Sequence, residues 1–127
     1  MSRAARAHTA PELALRSALH RRGYRFRVQQ PLAFDRRQRA DIVFPRAKVV
    51  VFVDGCFWHS CPEHATFPRA NAEWWRTKLA RNKARDEETN HRLAEDGWTV
   101  IRVWEHEGPD EAADRVAEVL ERRKLAR

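Results

Sequence analysis

Residues 49–64 read VVVFVDGCFWHSCPEH, and the interpretation of the whole chain starts from them. Residues 48–53 form a mostly apolar run with apolar side chains on both faces, which is typical of a central strand covered on both sides. The run ends at Asp54 and Gly55 and passes directly into a segment rich in cysteine, histidine and large aromatic residues. This stretch predicts a buried strand that carries a chemically active loop to one edge of a sheet.

The segments around this strand predict a mixed α/β domain. Thr9, Pro11 and Glu12 mark the start of a helix, and Gly23 ends it. The other predicted elements are strands over residues 24–28, 40–44 and 98–104, and helices over residues 71–96 and 109–124. This order predicts an α/β fold in which helices flank a small central mixed β-sheet.

The length of 127 residues indicates a single domain over residues 1–127, with residues 1–8 as a flexible basic arm. The net charge of +7 favours a polyanionic partner, most often nucleic acid. A general excess of arginine and alanine is the alternative explanation. No apolar run approaches the roughly 20 residues that span a bilayer, and we expect no signal peptide. We therefore expect a cytoplasmic, nucleoid-associated protein without a membrane partner.

Three acidic residues are candidates for a catalytic site. Asp41 lies in an otherwise apolar strand, where a carboxylate is costly unless it is paired or binds a metal. Asp54 ends the next strand, and a tight turn between the strands would bring both carboxylates to one sheet edge. Carboxylate oxygens are ligands that Mg²⁺ prefers. Glu12 is fully explained by a reciprocal cap with Thr9, and the alternative for each aspartate is a solvated strand end or turn.

The two cysteines suggest a second metal. Cys56, Cys61 and His64 follow the spacing C-x4-C-x2-H, and His106 lies just past the last predicted strand. Two thiolates and two imidazoles suit a closed tetrahedral structural zinc site, which would tie the loop to that strand. His59 is a rival ligand, and the alternative is two free thiols near scattered histidines.

Large aromatic residues accompany these polar ones. Phe57 and Trp58 are adjacent in the loop, and Trp74 and Trp75 begin the long helix. Adjacent residues cannot all face one core, so some are expected to project and to act as wedges between base pairs. A small second core packed over the zinc loop is the alternative. Basic residues spread around the long helix rather than forming one stripe: Arg76, Lys78, Arg81, Lys83 and Arg85.

These motifs resemble the very-short-patch repair (Vsr) DNA mismatch endonucleases over nearly the whole chain. The similarity is carried by ADIVFP at residues 40–45, FVDGCFWH at 52–59, EWWRTKLARNKARD at 73–86 and GWTVIRVWE at 97–105. It implies a restriction-endonuclease-like fold of the PD-(D/E)XK superfamily with a zinc-stabilised loop. It also implies a Mg²⁺-dependent, strand-nicking endonuclease for T·G mismatches left by deaminated 5-methylcytosine. Such an enzyme is expected to act as a monomer, with mismatch-repair proteins as candidate partners.

The resemblance also implies roles for individual residues. The catalytic residues would be Glu12, Asp41 and His59, with Asp41 also binding Mg²⁺. The structural zinc ligands would be Cys56, Cys61, His64 and His106. The DNA contacts would come from intercalating Phe57, Trp58 and Trp75, from Lys78 and Asn82, and from Arg3 and Arg6 in the short N-terminal arm.

Departures from the family pattern concern the substrate and the chemistry more than the fold. Familiar members have Thr-His where this chain has Val53-Asp54. We expect Val53 to offer a carbonyl oxygen to Mg²⁺, and Asp54 to bind metal or orient water rather than act as a base. The N-terminal arm is short, and His8 stands where an aspartate is usual. The types of zinc ligand also differ, since familiar members place His and Cys at positions 61 and 64 and Cys at position 106.

Two other functions stay open at this point. One is a nuclease of the same fold with a different DNA target, in defence or at another lesion. The other is a non-catalytic, zinc-stabilised module that only binds DNA.

Overall fold

The computed structural model describes residues 9–55 and 71–125. Its helices are α1 (Ala10–Arg21), α2 (Ala72–Glu95) and α3 (Pro109–Leu125). Its strands are β1 (Arg27–Pro31), β2 (Arg39–Phe44), β3 (Val49–Asp54) and β4 (Thr99–Trp104). Within these ranges, no helix combines the length and the hydrophobicity that crossing a bilayer requires.

The strands form one four-stranded sheet in the order β1-β2-β3-β4. β1 pairs antiparallel with β2, β2 pairs antiparallel with β3, and β3 pairs parallel with β4. The predicted central mixed sheet with flanking helices is therefore confirmed. The predicted zinc-stabilised loop lies outside the described residues.

Helices cover both faces of the sheet, which explains why β3 is apolar on both sides. One core joins α1 and α3 to the sheet, with Leu19, Val51 and Val116 at its centre. A second core forms on the other face, where Leu93 of α2 packs with Val50 and other strand residues. We call these the first and the second core. Burial on both faces makes β3 the most completely enclosed strand.

The first strand differs from its prediction. The alternating pattern over residues 24–28 predicted a strand there, but β1 begins at Arg27 and runs to Pro31, into the segment expected to be a loop. Tyr24 and Phe26 instead pack against the first core. Proline is acceptable at the end of β1 because this is an edge strand, where a missing N–H breaks no inner ladder.

The position of α2 follows from its length and its connection. It has 24 residues, about 36 Å, whereas the six residues of β3 span about 20 Å. Because α2 connects the end of β3 to the start of the parallel strand β4, it runs in the opposite direction to both. Since it is longer than the strands, its first half extends past their carboxyl ends. Asp54 and Trp104 are the last residues of β3 and β4. We call this side of the sheet, where both strands end, its carboxyl edge.

Truncating Leu19 tests the first core. Leu19 is fully buried on α1, and Leu13 on the same helix is 48% exposed. We expect Leu19→Ala to lower the free energy of unfolding by about 2–4 kcal/mol, because it removes buried methyl groups and leaves a cavity. Leu13→Ala, the matched control, should change it by less than about 0.5 kcal/mol. Urea denaturation measures both, and equal losses would contradict this packing.

Candidate active site

The ladder between β2 and β3 opens at Asp41. Main-chain pairing between these strands runs from Phe44↔Val49 to Ile42↔Val51 and goes no further. Beyond it, Asp41 Oδ2 accepts a hydrogen bond from the Val53 N–H at 2.6 Å. A side-chain oxygen thus takes the place of a main-chain carbonyl. We call this position, between Asp41 and Val53, the β2–β3 gap.

Glu12 of α1 belongs to the same cluster. Its side chain is 1% exposed, and it is paired with Arg16 one turn along the helix. Gln29 Nε2 donates to Glu12 Oε2 at 2.8 Å and to Asp41 Oδ1 at 3.0 Å. The capping-box explanation of Glu12 is wrong: Thr9 takes the N-cap position, but its side chain makes no capping hydrogen bond. Glu12 instead points at the sheet.

Burial and neighbouring charge alter the protonation of Asp41. The pKa of Asp41 is raised from 3.8 to about 7, mainly by burial and also by the negative charges of Glu12 and Asp54. Hydrogen bonds from the Val53 N–H and from Gln29 oppose this rise, because they favour the ionised form. A cation in the β2–β3 gap would relieve the repulsion among these carboxylates.

Asp54 lies on the other face of the sheet from Glu12. Side chains alternate along β3, so Asp54 shares the second-core face with Val50 and Phe52. Its Oδ1 accepts a hydrogen bond from Arg102 NH1 at 3.0 Å, and Asp54 is buried. The same guanidinium bonds Asn90 of α2 and stacks on Phe52 at 4.2 Å. Asp54 is thus held by a cation that also ties β4 to α2.

The donor set in the gap fits Mg²⁺. Asp41 and Glu12 supply carboxylates, and the Val53 carbonyl projects to the same side of its strand as the N–H that bonds Asp41. Within residues 9–55 and 71–125, no three His, Cys, Asp or Glu side chains converge as they would around a fully protein-bound ion. Mg²⁺ does not need such a cage, since it is usually held by one or two carboxylates, waters and substrate phosphates.

The first half of α2 brings aromatic and polar residues to the same edge. Trp75, Lys78 and Asn82 follow one another at helical spacing along one side of α2. Lys78 is exposed and Trp75 and Asn82 are half-buried. Trp74 is 57% exposed and packs edge-to-face against Trp75. The Lys78 ammonium lies 5.5 Å from the centroid of the Trp74 ring.

The remaining predicted residues are placed only in part. His106 is exposed in the turn after β4. The other predicted zinc ligands, the loop residues expected to meet DNA and the basic arm lie outside the described residues: Cys56, Phe57, Trp58, His59, Cys61, His64, Arg3 and Arg6.

Sequence reasoning missed two residues of this site. Arg102 is a charged residue in the apolar strand TVIRVW, which is the same signal that singled out Asp41. Gln29 gave a weaker signal, because a glutamine in an edge strand is usually solvated. Its role depends on its backbone conformation, which the sequence pattern does not reveal.

The sequence is similar to a known family of DNA endonucleases and to several of its members. Residues 1–64 match the family model described as DNA mismatch endonuclease Vsr. The Type II nicking enzyme V.NaeI of Lentzea aerocolonigenes is 47% identical over 117 residues, which cover 91% of this chain and 70% of that protein.

Two further relatives agree with this match. The Type II nicking enzyme V.XorIIP of Xanthomonas oryzae pv. oryzae is 42% identical, over 81% of this chain and 74% of its own length. The DNA mismatch endonuclease Vsr of Escherichia coli K12 is 38% identical, over 76% of this chain and 61% of its own length.

Proposed function

Because the chain belongs to the Vsr family of DNA mismatch endonucleases, we propose that it nicks one strand of duplex DNA at T·G mismatches in a Mg²⁺-dependent reaction. It is a DNA-cleaving hydrolase. The proposal rests on one observation above all, the Asp41 carboxylate in the β2–β3 gap, joined through Gln29 to Glu12. The biological role would be very short patch repair of deaminated 5-methylcytosine.

Asp41, the Val53 carbonyl and Glu12 are the groups that would hold Mg²⁺, with Asp54 as a further candidate ligand. When bound, the ion would polarise the scissile phosphate, activate water and stabilise the leaving oxygen. The Val53 N–H and Gln29 orient the two oxygens of Asp41. Arg102 holds one oxygen of Asp54, and in the proposed reaction Asp54 would bind the metal or orient water.

Proton transfer would fall to His59, with Glu12 orienting it or a nearby water. A neutral imidazole suits proton transfer near pH ~7. His59 is five residues after Asp54 in the sequence, and Asp54 ends β3 at the carboxyl edge of the sheet, so the chain leaves the sheet at that edge. This edge also carries the β2–β3 gap.

DNA would be held by α2 and by the loop that precedes it. Trp75, Lys78 and Asn82 lie on the part of α2 that extends toward the carboxyl edge of the sheet. Phe57 and Trp58 would enter the base stack beside the mispair, where unstacking costs least. Arg3 and Arg6 would contact the backbone, in keeping with the net charge of +7.

A structural zinc ion held by Cys56, Cys61, His64 and His106 would fix this loop. The proposal is supported by the soft thiolates and imidazoles in the sequence and by the position of His106 directly after β4. Zinc would then hold the aromatic residues and His59 at the carboxyl edge.

One observation favours a second candidate, strand nicking at another DNA target. Asp54 replaces the histidine of familiar members, and it is bonded to Arg102 rather than available as a base. The relatives named Type II nicking enzymes also show that the family extends beyond the proteins named for mismatches.

A nicking assay on end-labelled duplexes distinguishes these functions. We expect Mg²⁺-dependent cleavage of one strand of a T·G duplex, at least about 100-fold faster than cleavage of the matched duplex of the same sequence. Chelation of the metal should abolish it. Equal cutting of matched and T·G duplexes would remove the mismatch specificity. Binding without any product would favour the non-catalytic module.

A further inference from the structure

Gln29 occupies an unusual place in the sheet. It lies within β1 but has a φ of 50°, a left-handed backbone conformation that residues other than glycine rarely adopt. The pairs Val28↔Ile42 and Gln30↔Ala40 flank it, so Gln29 lies opposite Asp41. A strained residue that faces a carboxylate in the candidate active site requires an explanation.

The left-handed turn changes which face of β1 the side chain reaches. Phe26 packs against the first core, so strict alternation would place Val28 there and Gln29 on the opposite face. The Gln29 amide nevertheless reaches Glu12, which lies on the α1 side. The conformation at Gln29 therefore redirects its side chain toward α1.

The partner strand departs from alternation at the same point. Ile42 and Phe44 belong to the first core, whereas Val43 belongs to the second. Alternation would then place Ala40 in the first core, but Ala40 packs in the second, and Asp41 bonds Gln29. The two opposed residues thus leave the regular pleat together, and Gln29 links Asp41 to Glu12 of the helix.

A neutral amide is suited to this position. Its two N–H groups go to two different carboxylates, Glu12 at 2.8 Å and Asp41 at 3.0 Å, and fix the distance between them. A lysine or arginine there would cancel the negative charge that attracts a metal. Gln29 joins the carboxylates without adding a second cation to the one that Arg16 already places on Glu12.

We propose that Gln29 is a positioning residue of the active site, which holds Glu12 and Asp41 in a fixed arrangement for the metal and the DNA phosphate. This inference rests on the proposed function. Gln29 touches neither the metal nor the substrate in this role, and it acts through the two carboxylates. The strain of its backbone is the cost of directing the amide to them.

The test compares Gln29→Leu, Gln29→Gly and the control Gln30→Leu. Leucine removes the amide and keeps the strained backbone, whereas glycine removes the amide and relieves the strain. Gln30 is the matched control because, within the described part of the chain, its amide donates to the Val28 carbonyl and to neither carboxylate. The readouts are kcat and KM for nicking, and the rise in Tm that Mg²⁺ produces without DNA.

Both Gln29 variants should lower kcat about 10- to 100-fold and weaken Mg²⁺ binding to a similar extent, with KM for DNA within about twofold. The Mg²⁺-induced rise in Tm should shrink in both, while Gln30→Leu behaves as wild type. Gln29→Gly should melt within about 3 °C of the wild type without metal, which separates positioning from folding.

Two results would overturn the role of Gln29. One is a Gln29→Gly protein that nicks and responds to Mg²⁺ as wild type does. The other is an equal loss in Gln30→Leu. A wild-type protein that never nicks would instead refute the proposed function, and the Mg²⁺-induced Tm change would still decide the role of Gln29.

Discussion

Asp41→Asn should lower Mg²⁺-dependent nicking by about three orders of magnitude and remove the pH dependence of stability that Asp41 contributes between pH ~5 and ~8. The first effect is expected because Asp41 is the carboxylate at the centre of the β2–β3 gap. The second is expected because the folded protein raises the pKa of this carboxyl group from 3.8 to about 7.

The sign of the pH effect follows from proton binding. Between pH ~4 and ~7 the folded protein holds a proton on Asp41 that the unfolded chain has lost. The raised pKa therefore stabilises the fold fully at low pH, and this stabilisation is lost as the pH rises through about 7. Asparagine does not titrate, so the variant should gain about 1–3 kcal/mol relative to wild type between pH ~5 and ~8.

Urea denaturation in the presence of a chelator at both pH values measures this difference. The other titratable groups are shared by the two proteins, so their effects largely cancel in the comparison.

Asp35→Asn is the matched control, because Asp35 lies in the β1–β2 turn and its pKa is lowered by hydrogen bonds from Gln38 and from the Arg37 N–H. It should nick within about twofold of wild type. An Asp41→Asn protein that cuts at the wild-type rate would show that the metal site is elsewhere.

Arg102→Leu should be among the most destabilising single substitutions on the second-core side, at about 2–4 kcal/mol. The change removes the guanidinium that bonds the buried Asp54 carboxylate and leaves that charge behind. It also removes the hydrogen bond to Asn90 and the stacking on Phe52, so α2 loses an attachment to β4.

A double-mutant cycle separates the ion pair from the packing. Asp54→Asn combined with Arg102→Leu should be at least about 1 kcal/mol more stable than the sum of the single effects predicts. The matched comparison is Arg22→Leu, which breaks a 2.6 Å pair with Asp114 on the surface and should cost less than about 1 kcal/mol. Strictly additive effects at Arg102 and Asp54 would contradict their coupling.

Hydrophobic pattern predicted most of the fold correctly. The run before Asp54 is apolar on both faces, and it forms the strand that lies between β2 and β4, with helices on either side. The boundaries of α2 and β4 followed from Gly97, whose φ of 87° is easily adopted by glycine. These elements were predictable because burial imposes a simple periodicity on them.

The sequence drew attention to individual residues of the candidate site but not to their arrangement. A carboxylate in an apolar strand singled out Asp41, which the structure joins to Gln29 and to the Val53 N–H. The sequence also suggested that Asp41 and Asp54 share a sheet edge, and both lie at the edge that carries the β2–β3 gap, but Asp54 faces the second-core side, where Arg102 binds it. The left-handed conformation of Gln29 has no local sequence signal, because it is imposed by contacts with α1 and β2 that are distant along the chain.

The central claim is that the β2–β3 gap binds the catalytic metal, and crystals grown with Mn²⁺ test it most directly. Mn²⁺ shares the preference of Mg²⁺ for carboxylate oxygens, and its anomalous scattering locates it without a model of the ligands. We expect an anomalous peak at bonding distance, about 2.0–2.4 Å, from the Asp41 carboxylate. A protein that nicks T·G duplex with Mn²⁺ while the peak lies away from Asp41 would contradict it.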